Sequence, residues 1–443
     1  MSITVTVDPD VCLDNPLLTR QKPSPRDNLS LMFKPKPCID CGPHAVFHPA
    51  EHIGVYMGCV NRVCTKPCEA IWCMISNVIG PTRFEKIYPL FLRGMERIGF
   101  GTFSREPHPH ECSRTRALRE EAERRKIDFQ EFRFLGKDSN HFFATWNGET
   151  IAFEAVPRPK QTRIMDWMDE KDLMREAFEK AGIPIAHGGV RFRWKAVVEL
   201  FQRLEKPFII KPHVGSRSRH TTIHIQTIEE LREAFYKAKQ LSPWVILEEE
   251  LVGSLYRGTV IGGKTVGIAR RDAPRVIANG KDTIRQLVEQ ENTLPIRHAG
   301  VFEPMPMDHD AEKEILRQGF TWESIPVEGK EVIMNPKFGR GQGSLNEDVT
   351  DQTHPDNVLL LEDAAGVIND PLIGIDFIMS DITRSWKEQK RAGIIECNSA
   401  PFLDIHHFPY KGQSRNTAGA LWEIVFPGSG EPIAPSSSPS SHS

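Results

Sequence analysis

Short apolar runs that end in or carry a charge recur through the middle and last parts of the chain, and they constrain the fold more than any other feature. PFIIK (207–211), TTIHIQ (221–226), WVILEE (244–249), LYRGTVI (255–261), KTVGIA (264–269), LIGIDFIM (372–379) and AGIIECN (392–398) are each of strand length. ETIAFEA (149–155) reads the same way. Helical patterns alternate with them. SRTRALREEAERRK (113–126) is a charged helix with Ser113 as its expected cap. Asp169 is expected to open the helix EKDLMREAFEKA, which puts Leu173, Met174, Ala177, Phe178 and Ala181 on one face and is stopped by Gly182 ahead of Pro184. A third helix is expected over 228–239. The fold class implied is α+β with antiparallel pairings.

One motif is a decoy. GTVIGGKT (258–265) fits the phosphate-loop pattern G-x-x-x-x-G-K-[ST], but that chemistry needs a helix N-terminus after the loop. VGIA alternates like a strand instead, so Gly262, Gly263 and Lys264 are expected to form a hairpin turn.

Other features bound the class of protein. At 443 residues the chain has room for several domains. Its 56 basic and 59 acidic side chains give a net charge of −3, which leaves no basic footprint for nucleic acid. No run approaches the ~20 apolar residues that cross a bilayer. The start, MSITVTVDPDVCLDNP, lacks the pattern of a secretory signal, so a cytoplasmic location is expected. The closing GSGEPIAPSSSPSSHS is too poor in apolar residues to fold.

Four features agree on chemistry. Lys171 stands at a helix start, and Lys211 ends a strand before a loop, HVGSRSRHTT, that combines Gly215, Ser216 and basic side chains as a phosphate cover would. VILEEELVG runs a strand into Glu248, Glu249 and Leu251, either a solvated edge or a hinge facing an adenine. Asp376, Glu396 and Asn398 end or interrupt apolar strands and offer three hard oxygen ligands suited to Mg²⁺.

These stretches, with NGKDTIRQLVEQEN, DVTDQTHPDN, IIECNSAP and SRNTAGALWEIVFP, resemble the ATP-grasp ligases, most of all the ATP-grasp part of cyanophycin synthetase and more distantly glutathione synthetase. The likeness spans residues 115–430 in order. Together with the composition of the ends, it divides the chain as expected into a cysteine-rich N-terminal segment (1–75), a preceding α/β domain (76–165), an ATP-grasp domain (166–430) and a disordered tail (431–443). It implies ATP and two Mg²⁺ ions as cofactors: Lys171 and Lys211 on the phosphates with Ser216, Glu248, Glu249 and Leu251 around the nucleotide, and Asp376, Glu396 and Asn398 on the metal. Arg257 and Arg271 would meet the transferred phosphate. The implied reaction activates a carboxylate as an acyl phosphate and joins it to an amine, on amino acids, small peptides or other carboxylates and amines; a homo-oligomer is compatible with this. Lys337 and Arg340 in NPKFGRGQGS, and Asp404, are the candidate substrate contacts, each set against a solvated surface residue.

Three departures from the family pattern stand out. Only Gly215 remains of a usually glycine-rich loop, Leu255 replaces a usual acidic residue, and no Mur-ligase-like domain follows, so a single ligation is expected rather than polymer building. The first two leave open a nucleotide-binding scaffold that has lost catalysis, or a ligase with a thiol or carrier-protein acceptor.

Eight of nine cysteines lie at or before Cys112. Cys38 and Cys41 form a C-x-x-C pair that Cys59, Cys64, Cys68 and Cys73 would complete, with His44, His48 and His52 as further ligands. Zn²⁺ or an iron–sulfur cluster, reduced buried thiols, and redox chemistry all fit spacings that match no named signature.

Overall fold

The computed structural model of the protein describes residues 81–430, apart from 109–110, 161, 163–164, 214–218, 299–301 and 336–342. Every pairing between its named strands is antiparallel. The first elements are α1 (Pro81–Arg97), β1 (Gly101–Ser104), α2 (Ser113–Arg124), β2 (Asp128–Phe134), β3 (Lys137–Trp146) and β4 (Glu149–Glu154), with the four strands in meander order. Phe129, Phe142 and Phe153 share a core with Ala117, Leu118 and Ala122 of α2.

Next come α3 (Lys171–Ala181), β5 (Gly188–Arg191), α4 (Trp194–Phe201), β6 (Phe208–Pro212), β7 (Thr222–Ile225), α5 (Ile228–Lys239) and β8 (Val245–Glu249). The sheet order is β5-β8-β6-β7. Val197 and Phe201 of α4 and Leu231 and Phe235 of α5 cover Phe208, Ile210 and Leu247. The α5 bounds match the sequence expectation because Thr227 and Glu230 form a reciprocal capping box at its start.

The third group is β9 (Ser254–Ile261), β10 (Lys264–Asp272), β11 (Arg275–Ile277), α6 (Ile284–Asn292), α7 (His309–Arg317), β12 (Glu331–Ile333), β13 (Leu345–Asp348), α8 (Pro355–Ile368), β14 (Leu372–Met379), β15 (Gly393–Asn398), α9 (Asp404–His407) and α10 (Thr417–Val425). Five strands form one sheet in the order β13-β10-β9-β14-β15. Leu360, Leu361, Ala364 and Ile368 of α8 cover Tyr256, Val260, Ile375 and Phe377 on one face. Gly258 leaves room for that approach: a Cβ there would stand 2.5 Å from Leu361 Cδ1 and would require the leucine side chain to shift. β11, β12, α6 and α7 close a separate small core around Ile284, Val288, Ile315 and Val332.

The decoy resolves as expected. Gly262 and Gly263, both at positive φ (59° and 76°), make a two-residue turn between Ile261 and Lys264, which face each other in the β9–β10 ladder. A strand follows it, not a helix.

Two local expectations are corrected. Ser113 does not cap α2: Cys112 takes that position with no side-chain hydrogen bond, and the Ser113 hydroxyl donates instead to the carboxylate of Asp404. Asp169 does not cap α3 either. Glu170 is the N-cap, and Asp169 closes the preceding 3-10 turn and accepts from Ser399 N (3.0 Å) and Oγ (2.6 Å) beyond β15. Short polar side chains cap only when no stronger partner lies within reach. Gly182 does end α3 in the left-handed conformation. The sequence places a domain boundary at 165/166; one face of the meander closes a small core with α1 through Leu92, Phe132 and Phe143, and the other face shares its core with later parts of the chain. Trp422 and Phe426, at the far end of the chain, lie in that shared core.

Trp422 is fully buried, donates Nε1 to Leu118 O at 3.0 Å and stacks on Phe426 with centroids 5.9 Å apart. Trp422→Ala is expected to cost about 3–5 kcal/mol, read as a lower denaturation midpoint.

Candidate functional site

Pairing register sets the charges of the site. Arg257 on β9 faces Asp376 on β14, and Asp376 faces Glu396 on β15. The Arg257 guanidinium engages both Asp376 oxygens, through Nε to Oδ1 and Nη2 to Oδ2, the latter at 2.6 Å, with both side chains buried. Burial pushes the Asp376 carboxyl up, but Arg257, and then Arg271, hold it below the ordinary aspartate value. Glu396 is raised, first by burial and then by the neighbouring Asp376 charge. Two carboxylates in one place thus share a single buried arginine.

Lys171 reaches this pair from α3, with Nζ 3.9 Å from Glu396 Oε2. Burial lowers its pKa; Glu396 pulls it up and Lys211 pulls it down. Lys211 on β6 lies 2.7 Å from Glu248 Oε2, and Arg175 on α3 takes Glu248 Oε1 at 2.7 Å. The structure therefore brings Lys171, Lys211, Glu248, Arg257, Asp376 and Glu396 into one charged chain linking both sheets, with Arg271 acting on Asp376.

Other expected residues stand elsewhere. Both Glu248 oxygens are met by cations, so its carboxylate holds Lys211 and Arg175 in place. Glu249 accepts from Glu205 N at 2.8 Å and braces the turn before β6, while Glu250 accepts from His224 N. Leu251 and Leu255 are buried. Asp404 is fully buried against Ser113, so the expected surface or substrate-facing position is not what it occupies. Ser216, Lys337 and Arg340 lie outside the described residues, as do Cys38, Cys41, Cys59, Cys64, Cys68 and Cys73 with His44, His48 and His52. Among the described residues, no three His, Cys, Asp or Glu side chains converge as a metal cluster.

The strand-end donors nevertheless fit a hard divalent cation. Asp376 and Glu396 are in hydrogen-bond contact, and Asn398 Nδ2 is buried with no acceptor. Turning that amide replaces an orphan donor by an oxygen. Two carboxylates and one amide oxygen form a sparse set suited to Mg²⁺, which completes its shell with water and phosphate oxygens.

Sequence reading missed Arg175, although it stands four residues after Lys171 on one helix face. It also missed His213, whose Nε2 lies 3.2 Å from Asp172 Oδ1 and helps hold that carboxyl down to about 2. That contact ties the end of β6 to the first turn of α3. No sequence signal marked the pair. His406 was missed as well. Its Nε2 is 2.8 Å from Thr259 Oγ1, and a Cβ on Gly267 would meet Nδ1 at 2.8 Å.

Burial, and then Arg257, push His406 down to about 3 from its ordinary 6.5. Between those values the unfolded chain binds a proton that the folded chain refuses, so stability falls as pH drops below 6.5. The expected loss between pH 7 and pH 5 is on the order of 2 kcal/mol. Urea unfolding of the wild type and His406→Gln at both pH values checks this, with a smaller pH difference expected in the variant.

No family model matches the chain. Cyanophycin synthetase of Trichormus variabilis is 31% identical over 269 residues, 58% of this chain and 29% of that protein. The glutathione biosynthesis bifunctional protein GshAB of Clostridium perfringens is 31% identical over 229 residues, 50% of this chain and again 29% of the relative. The chain therefore spans less than a third of the length of these curated relatives. The crystal structure of a bifunctional glutathione synthetase from Pasteurella multocida matches with a TM-score of 0.56 at 22% identity, over 71% of this chain and 43% of that one. By sequence over 58% of its length, and by fold, the chain is a relative of the ATP-grasp ligases.

Proposed function

We propose that the chain is an ATP-dependent carboxylate–amine ligase that activates a substrate carboxylate as an acyl phosphate and joins it to an amine of an amino acid or small peptide, releasing ADP and phosphate. The observation that carries this reading is the pairing of like charges of both signs in one site. Asp376 sits against Glu396, and Lys171 is pulled down by Lys211. A polyphosphate with its divalent cation relieves both repulsions at once: its oxygens meet the lysines and its cation meets the carboxylates.

Lys171 and Lys211 bind the phosphates, with Lys211 aimed by Glu248 and Arg175. Arg257 keeps Asp376 ionised, and Arg271 faces the charge that develops on the transferred phosphoryl group. Asp376, Glu396 and Asn398 are the residues that would hold Mg²⁺, which supplies charge neutralisation on the phosphate oxygens. In the reaction, a carboxylate oxygen attacks the γ-phosphorus and ADP leaves. The amine nitrogen then attacks the acyl carbon, the C–O bond to phosphate breaks, and the ammonium proton is lost. No side-chain nucleophile takes part.

Residues Ser216, Lys337 and Arg340 are assigned here to the nucleotide or substrate on the family resemblance alone. Among the described residues no helix is long and apolar enough to cross a membrane.

ADP release by the purified full chain with Mg²⁺-ATP, screened against amino acids and dipeptides singly and in pairs, tests the reading. Turnover that requires both a carboxylate and an amine supports it; no ATP binding and no turnover would move the chain to a scaffold role. Glu396→Ala is expected to abolish that turnover with an unchanged melting temperature, because the side chain is partly exposed at a strand end. Undiminished phosphate release in the variant refutes the metal assignment.

A further inference from the structure

Five arginines are buried among the described residues: Arg114, Arg119, Arg175, Arg257 and Arg297. Four have a carboxylate partner. Arg119 reaches Glu111 at 2.7 Å, Arg175 reaches Glu248 at 2.7 Å, Arg297 reaches Glu291 at 2.9 Å, and Arg257 engages Asp376. Arg114, 9% exposed, has none. Its Nη2 donates to Asn140 Oδ1 at a long 3.3 Å, its guanidinium carbon stands 5.6 Å from the Phe402 ring centre, and its Nε is buried with no acceptor. The carboxylate of Asp404, adjacent to this wall, is engaged by Ser113 instead.

A buried guanidinium with no counter-ion costs several kcal/mol, and proteins retain such a charge where an anion arrives from outside. The surroundings favour one. Arg114 lies in the first turn of α2, which carries no acidic residue there and no side-chain cap, so the positive end of the helix dipole adds to its charge. Arg116 adds a second cation in the same turn, set 4.9 Å over the Phe408 ring. Phe402, the aromatic floor under Arg114, lies in the segment that leaves β15 directly after Asn398. The adjoining Pro401 packs where a Cβ on Gly374 would fall, 2.7 Å from Pro401 and 3.1 Å from Arg257 Nη1. The Arg114 wall thus continues from the carboxylate end of the site.

We propose that Arg114 binds a carboxylate of the substrate other than the one that is phosphorylated. Resting on the ligase reading above, this narrows the substrates: one is an acidic or C-terminally free amino acid or peptide, held by its spare carboxylate on Arg114 with Asn140 and the α2 N-terminus. The spare carboxylate comes either from a dicarboxylic acyl donor or from the amino-acid acceptor.

Thermal unfolding of the full chain and of Arg114→Met, with Mg²⁺-ATP and saturating L-glutamate, L-aspartate or glutarate against the corresponding amides, tests the site without relying on turnover. The acids, and not the amides, are expected to raise the wild-type melting temperature. Arg114→Met is expected to lose that rise while starting no lower, since it removes a buried unpaired charge. An equal rise in the variant, no acid-dependent rise in the wild type, or a lowered starting temperature in the variant overturns the proposal. With any pair that supports ADP release, Arg114→Met should raise KM for one substrate about tenfold or more at unchanged KM for ATP, with Arg114→Lys intermediate. The substrate whose KM moves identifies donor or acceptor as the source; movement of neither overturns the proposal. Acid-dependent binding lost in Arg114→Met, with no pair supporting turnover, leaves the anion site standing and removes the ligase reading.

Discussion

The buried pair of Arg257 and Asp376 fixes the charge arrangement on which the site depends. Taken alone, two largely buried carboxylates on adjacent strands would share a proton, because neither burial nor mutual repulsion tolerates both charges. Arg257 changes that outcome. It lies across the β9–β14 ladder from Asp376, binds it through two nitrogens, and keeps it ionised beside Glu396. The penalty for desolvating this pair is offset only while both partners stay. The central strands must therefore keep their register, since a shift of one residue would turn both side chains toward α8. The charge of the site and the sheet register are one constraint.

α3 carries that constraint from one sheet to the other. Its N-terminal turns hold Lys171 toward Glu396 and Arg175 toward Glu248, while Asp169 is bound by Ser399 and Asp172 by His213. Beyond Gly182 the chain returns to β15, where Ile394 N donates to Pro184 O at 2.9 Å. A Cβ on Gly393 would meet Pro184 and Ile185 at 3.1 Å, a tight contact that a larger residue could keep only if the backbones gave by a few tenths of an ångström. Helix and strand are pinned to each other at both ends, and the separation of Lys171 from the carboxylates is set by backbone packing.

Much of this was legible because strand alternation is a local property. The apolar runs, the Gly262–Gly263 turn and the charges Lys211, Asp376 and Glu396 within or near the ends of strands are written in short windows of sequence. What could not be read was which charge meets which. Nothing in the window around Glu248 announces Arg175, 73 positions earlier, which is folded against it. Ser113 looks like a cap until Asp404, 291 residues later, offers a buried carboxylate. Asp404 itself looks like a surface acid, and His406 like one half of an unremarked pair, because burial is decided by tertiary packing and leaves no mark on a single polar residue.

The two ends of the site are built by different parts of the chain, and this separates chemistry from recognition. The charges suited to phosphate and metal come from β6, β9, β14, β15 and α3, which are locked together by buried ion pairs and close backbone contacts. The wall beyond Asn398 comes from α2 and β3, whose core is completed by Trp422 and Phe426 from the end of the chain. If Arg114 holds a substrate carboxylate as proposed, a change at Arg114, Asn140 or Phe402 would alter which groups are held there without disturbing Arg257 and Asp376. A change at Arg257 leaves a buried unpaired carboxylate in the central sheet and cannot be confined to one substrate. Selection for a new substrate would accordingly act on the meander and the segment after β15, where substitutions leave the charges of the central sheet in place.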